Sequence, residues 1–124
     1  MPGFSKSERL CSKIVIEKVY NEGKSLKRYP FLLKYAEHSF EDGEPLKIVF
    51  TVPKRRVRKA VKRNRIRRQI KEIYRLEKDE IKQLLVKKNK ALALFLIYTG
   101  EQEVEFKCLK QKLTVLLSEL KKEI

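Results

Sequence analysis

Between Lys54 and Lys71 the chain carries 11 lysines and arginines in 18 residues and not one carboxylate, and from Lys54 to Thr99 it holds neither proline nor glycine. The second property permits long helix. The first property decides what such a helix can do. The nearest acids are Glu44 and Glu72, so salt bridges within the segment cannot neutralise it. Either an anion from outside covers these residues or they repel one another. Arginine's planar fork matches phosphate through paired hydrogen bonds, which makes phosphate the expected ligand. A solvated face made basic for solubility alone is the competing reading, and mixed charge would serve that purpose at less electrostatic cost.

The whole chain repeats the imbalance. It has 31 Lys+Arg against 16 Asp+Glu over 124 residues, a net charge of +15, which points to nucleic acid ahead of an anionic membrane. Its length suits one domain, residues 1–124, and 42% apolar residues suffice for one core. The opening MPGFSKSERL lacks the apolar region of a signal peptide, and the longest apolar run, Ala91 to Tyr98, has eight residues. A cytoplasmic protein is expected. Cys11 and Cys108 have no C-x-x-C spacing and there is one histidine, so two free thiols are expected, not a zinc or redox site.

Periodicity divides the chain into elements. Ser12 is placed to cap a helix running to Glu22, with Val15, Ile16, Val19 and Tyr20 at helical spacing and Gly23 ending it. Phe31, Leu33 and Tyr35 alternate along one strand; Leu46, Ile48, Phe50 and Val52 alternate along a second. Glu41-Asp42-Gly43-Glu44 has the composition of a turn that joins the two antiparallel. A helix follows from about Arg58 to Lys78, then a further helical piece at Ile81, Leu84 and Leu85, a buried strand from Ala91 to Tyr98, and a final amphipathic helix striped by Phe106, Leu109, Leu113, Leu116, Leu117 and Leu120. The reading is α/β, in the two-layer α+β sense: a small sheet packed with helices, in the order α-β-β-α-β-α.

On a helical projection Asn64, Arg68, Lys71 and Arg75 lie opposite the Ile66-Ile70-Ile73 stripe. Arg65 flanks them on one side, and Arg63 and Arg67 on the other beside Tyr74. Val57 and Val61 fall on the basic side, which points to a first turn that is packed or irregular. Asn64, set among arginines, is suited to a base edge or a 2′-hydroxyl, or is simply a helix-surface residue.

These residues carry a resemblance. Phe50-Thr-Val-Pro-Lys-Arg followed by Lys59-Ala-Val-Lys-Arg-Asn-Arg-Ile-Arg-Arg-Gln-Ile-Lys-Glu-Ile-Tyr-Arg75 resembles the bacterial ribonuclease P protein component, whose core is the helix bearing Arg63-Asn64-Arg65. Phe4 with Arg9-Leu10, Gly23, the Phe31-Leu-Leu strand and the spacing to Ala91–Tyr98 extend the likeness over most of the chain. The resemblance implies the protein cofactor of a ribozyme, one that binds a large catalytic RNA and helps it remove the 5′ leader from precursor tRNA. It implies RNA contacts from Lys54, Arg55, Arg58, Lys62, Arg63, Asn64, Arg65, Arg67, Arg68 and Lys71, and a cleft between the first helix and the sheet that holds the single-stranded leader. Ile16, Tyr20, Phe31, Lys34 and Tyr35 are the residues expected there. Ile16 stands where the family often has an aromatic and Lys34 where Tyr is common, while Arg58 replaces a frequent Gly and Pro53 a common Ser. The strand-helix-strand unit from Leu46 to Tyr98 is implied to cross over left-handed, against the general preference for right-handed connections.

A protein nuclease needs an acid-base pair or a carboxylate cluster that holds metal at the scissile phosphate. His38 sits in the turn region, where a solvated role is expected, and Glu77, Asp79 and Glu80 read as a charged helix surface. No glycine-rich phosphate loop or nucleophile elbow is present. The resemblance assigns catalysis to the partner RNA and its Mg²⁺ ions, with no metal bound by the protein itself. A ribosomal-type structural RNA-binding protein is the alternative. A helix-turn-helix DNA binder lacks its glycine turn here, and a membrane-surface helix lacks an aromatic face.

Overall fold

A computed structural model describes residues 8–102 and 104–124; Phe4, part of the likeness above, lies outside them. The elements are α1 (Lys13–Glu22), β1 (Lys24–Arg28), β2 (Phe31–Glu37), β3 (Leu46–Thr51), α2 (Ala60–Lys87), β4 (Leu92–Tyr98) and α3 (Phe106–Glu123). The four strands form one sheet in the order β1-β2-β4-β3.

β4 is central, with one face fully buried and the other partly covered by α1, which accounts for its unbroken apolar sequence. On one face Phe31, Leu33, Tyr35, Leu46, Ile48, Leu92, Leu94, Leu96 and Tyr98 pack against α2 and α3 in the main core. The other face carries α1, whose Val15 and Val19 bury against Ala93, with Ile16, Ala36, Val49 and Phe95 partly covered around them. Each fully buried Leu or Ile contributes roughly 1.5–3 kcal/mol of transfer free energy, so the α2–α3 layer dominates stability and α1 rests on a smaller cluster. Ser12 caps α1, its Oγ accepting from the Val15 amide at 3.4 Å. Gly23 ends it for a steric reason, because a Cβ there would lie 2.3 Å from the Val19 carbonyl oxygen and 2.8 Å from that of Tyr35.

Three features differ from the sequence-based expectation. β1 is an added strand, making the order α-β-β-β-α-β-α. Its residues are exposed apart from half-buried Leu26, so it has no apolar alternation to read; backbone pairing to β2, from Lys24 opposite Tyr35 to Arg28 opposite Phe31, creates it. Its lysines also discourage further strands from adding at that edge. Second, β2 and β3 run in opposite directions but are not neighbours: β4 lies between them, antiparallel to β2 and parallel to β3. Third, α2 is one helix of 28 residues, because Ile66, Ile70, Ile73, Tyr74, Ile81 and Leu85 form a single continuous buried stripe. It begins at Ala60, leaving Val57 and Arg58 in the preceding loop.

Candidate nucleic-acid interface

The approach to α2 is held by its own backbone and by one arginine. Pro53 O accepts from the amides of Arg56 and Val57 at 3.0 and 3.1 Å, and Val57 is buried, anchoring the loop to the core. Arg63 Nη1 donates to the carbonyls of Val57 at 3.1 Å and Arg58 at 2.7 Å. Arg63 therefore braces this loop with the guanidinium that the resemblance assigns to RNA. Val61, by contrast, is exposed. No side chain caps the helix N-terminus at Lys59, and no acid occupies the first turn. The positive end of the helix dipole thus coincides with Lys59, Lys62 and Arg63, an arrangement that favours an anionic ligand and is costly without one.

Beyond the first turn Lys62, Asn64, Arg65, Arg68 and Lys71 are exposed on α2, while Lys54, Arg55 and Arg58 are exposed on the loop. Arg56 lies 3.7 Å from Glu101, which brings a carboxylate to the loop's flank. Arg67 is half-buried, its Nη1 donating to Asn64 Oδ1 at 3.1 Å. Asn64, Arg67, Arg68 and Lys71 face the outer edge of β3 across a cavity of about 470 Å³, whose remaining lining is Arg9, Ile48, Val49 and Phe50.

Sequence reasoning did not place Arg9 in this site. A residue-to-residue bridge to Ile48 sets it there, with the Leu10 amide donating to Ile48 O at 2.9 Å. Just before it, buried Glu8 accepts from Lys78 Nζ at 2.7 Å and also pairs with Lys82, which reaches Glu44 at 2.9 Å. Burial works against the charge of Lys82, yet its hydrogen bonds to Glu8 and Glu44 hold its pKa above the ordinary lysine value. No local pattern reveals such a tie, since its partners lie 70 residues apart.

On the α1 side of the sheet Ile16, Tyr20 and Lys34 lie together, and Phe95 and Val49 join them. Tyr20 is 51% exposed. Its ring lies 6.0 Å from that of Phe95 at 51°, and Lys34 Nζ lies 4.8 Å above its centroid. Phe95 escaped notice because β4 reads as wholly buried, whereas its α1 face is only half covered. Phe31 and Tyr35 do not belong to this cleft. Strand alternation sends them with Leu33 to the opposite face, while Leu32, Lys34 and Ala36 face α1. Phe31 is 1% exposed and meets Tyr98 edge-on at 5.9 Å. Tyr35 is also buried; that burial, followed by the charge and hydrogen bond of Glu123, pushes its pKa up.

The remaining polar groups have structural surroundings. His38 packs against Phe40 at 5.0 Å, and Glu77 and Glu80 both face Lys121 of α3. Cys11 and Cys108 are free thiols. Among the described residues no group of three or more His, Cys, Asp or Glu is placed to hold a metal ion, and no helix is long and apolar enough to cross a membrane.

The ribonuclease P family profile matches residues 4–121. A ribonuclease P protein component of Porphyromonas gingivalis is 31% identical over 109 residues, covering 88% of this chain and 80% of that protein. The fold is shared with a solved structure of the Staphylococcus aureus RNase P protein, at a TM-score of 0.75 and 19% identity over 93% of this chain and 96% of that one. The RNase P protein from Thermotoga maritima gives a TM-score of 0.70 at 24% identity, over 90% and 96%.

Proposed function

The chain belongs to the ribonuclease P protein family, and from that premise we propose that it is the protein subunit of a ribonuclease P holoenzyme, binding the catalytic RNA and the 5′ leader of precursor tRNA while the RNA subunit cleaves. The observation that carries the reading is the presence of two separate surfaces on one small sheet. The first is the phosphate-seeking face of α2 with Arg9 at the β3 edge; the second is the aromatic cleft of Tyr20 and Phe95 on the α1 side. A protein that must hold a structured RNA and a single-stranded segment at once needs both kinds of surface, electrostatic for the first and stacking for the second.

The protein's part is positioning and charge neutralisation. Cations on α2 lower the repulsion between two polyanions, so less free Mg²⁺ is required for them to associate. The Mg²⁺ ions that activate water belong to the RNA subunit in this reading, and the protein supplies no acid-base pair. The test is cleavage of precursor tRNA by protein alone, by a bacterial ribonuclease P RNA alone, and by both, at low Mg²⁺. Product is expected from the mixture well above the RNA alone and none from the protein. Equal rates with and without protein would leave a structural RNA-binding protein, and metal-dependent cleavage by RNA-free protein would overturn the assignment of catalysis.

A further inference from the structure

We propose that the cavity at the outer edge of β3 seats one unstacked nucleotide of the bound RNA, its base against the ring of Phe50 and its phosphate among Arg9, Arg68 and Lys71. This rests on the RNA-binding reading and adds a specific ligand to it. The cavity's volume, about 470 Å³, lies within the roughly 300–1,000 Å³ typical of small-molecule sites.

Its lining is divided in chemistry. On the β3 side the lining is Ile48, Val49 and Phe50, of which Phe50 presents a half-buried ring while Ile48 is fully buried, whereas Arg9, Arg67, Arg68, Lys71 and Asn64 supply a cationic and amide rim from two other segments. A lone phosphate has no use for the ring, and an apolar ligand has none for four cations. A ligand with one flat, weakly hydrated part and one anionic part suits both, and a nucleotide is that ligand in RNA.

Asn64 adds selectivity for a base. Because its Oδ1 accepts from Arg67 at 3.1 Å, what it offers a ligand is the Nδ2 group, a donor for a ring nitrogen or carbonyl of the base. Arg9 completes the rim only because the Glu8 ion cluster and the bridge to Ile48 hold its segment against β3.

The experiment is an NMR titration of the full chain with 5′-AMP, with ribose 5-phosphate and with inorganic phosphate, each at millimolar concentration. Saturable shifts of the Ile48 and Val49 methyls and the Phe50 ring are expected with 5′-AMP only. Phe50→Leu, which keeps apolar volume, is expected to weaken 5′-AMP about 5- to 150-fold, the range of one lost base stack, with phosphate binding unchanged. Asn64→Ala, on the exposed helix surface where folding is not at risk, is expected to weaken 5′-AMP and leave ribose 5-phosphate as it was. Equal responses to 5′-AMP and inorganic phosphate, confined to Arg9, Arg68 and Lys71, would overturn the nucleotide seat while leaving the electrostatic RNA interface intact. Absence of any salt-dependent RNA binding by the wild-type chain would remove both.

Discussion

The ammonium of Lys34 lies 4.8 Å above the ring of Tyr20 and donates to the Tyr20 carbonyl at 3.0 Å, fastening the last turn of α1 to β2. One residue thus restrains both the backbone and the ring of another across the mouth of the cleft. A ring already held in place loses less entropy on stacking with a base.

Tyr20→Ala should therefore separate binding from stability. With half its surface in solvent, Tyr20 gives folding a cation–π contact with Lys34 worth about 0.5–1 kcal/mol and a ring contact with Phe95 of about 0.5–1.5 kcal/mol, so its loss should cost far less stability than that of a core aromatic. Binding of precursor tRNA with a leader should weaken by about 1–3 kcal/mol per lost stack, and binding of mature tRNA should stay the same. Phe31→Ala is the contrast: from the opposite, buried face it should cost about 3–5 kcal/mol of stability. Affinities for both tRNAs and a melt of each variant check this, and an equal loss on the two tRNAs would take Tyr20 out of leader recognition.

The two kinds of arginine on α2 should differ in salt dependence. If about 5 phosphates are contacted, log K should fall with log salt at a slope of roughly −3.5 to −4.5. Arg68→Ala should flatten that slope by about one unit. Arg63→Ala should flatten it less and lower stability by about 1.5 kcal/mol, because its guanidinium is occupied by two loop carbonyls. Lys at position 63 cannot reproduce that fork, so Arg63→Lys should recover little of the stability. Salt titrations paired with melts distinguish the two roles; identical behaviour of the Arg63 and Arg68 variants would refute the division.

What local pattern could tell was limited by distance along the chain. The helices α1, α2 and α3 and the strands β2 and β3 each carry their periodicity in consecutive residues, β4 is an unbroken apolar run, and the acid-free run from Lys54 to Lys71 marks the basic segment. β1 carries no pattern, since Lys24, Ser25, Lys27 and Arg28 are all exposed and pairing alone makes them a strand. Arg9 and Phe95 were missed for the opposite reason: each owes its place to a partner far away, Ile48 for the first and the partial cover of α1 for the second. Assigning Phe31 and Tyr35 to the cleft overlooked the period of two that places Lys34, between them, on the other face.

Glu8 should prove important to both stability and the interface. It is buried with Lys78 and pairs with Lys82 as well, so Glu8→Gln leaves positive charge without its counter-ion and should cost about 3 kcal/mol. Releasing this anchor should also loosen Arg9 and weaken RNA binding. Replacing the Glu8–Lys78 pair together, by Glu8→Leu with Lys78→Met, should restore much of the stability, because matched apolar groups need no counter-ion. Urea titrations of the single and double variants test this, and a double variant no more stable than Glu8→Gln would contradict it.

Alkaline pH should weaken the fold through Tyr74. Burial first, then the negative charges of Glu8 and Glu44, push its phenol pKa well above the ordinary tyrosine value. The folded chain consequently keeps a proton that the unfolded chain releases above about pH 10. Stability is then intact below that pH and falls above it, by up to about 1.4 kcal/mol per pH unit for this one group. Lys82, whose pKa is also raised, acts in the same direction at still higher pH, so the wild-type curve alone cannot isolate the tyrosine. Tyr74→Phe can: its stability should differ from the wild type by a constant amount below about pH 10 and fall less steeply above it. Urea midpoints measured for both proteins from neutral pH into the alkaline range decide the matter, and parallel curves throughout would mean that the Tyr74 phenol is not what titrates.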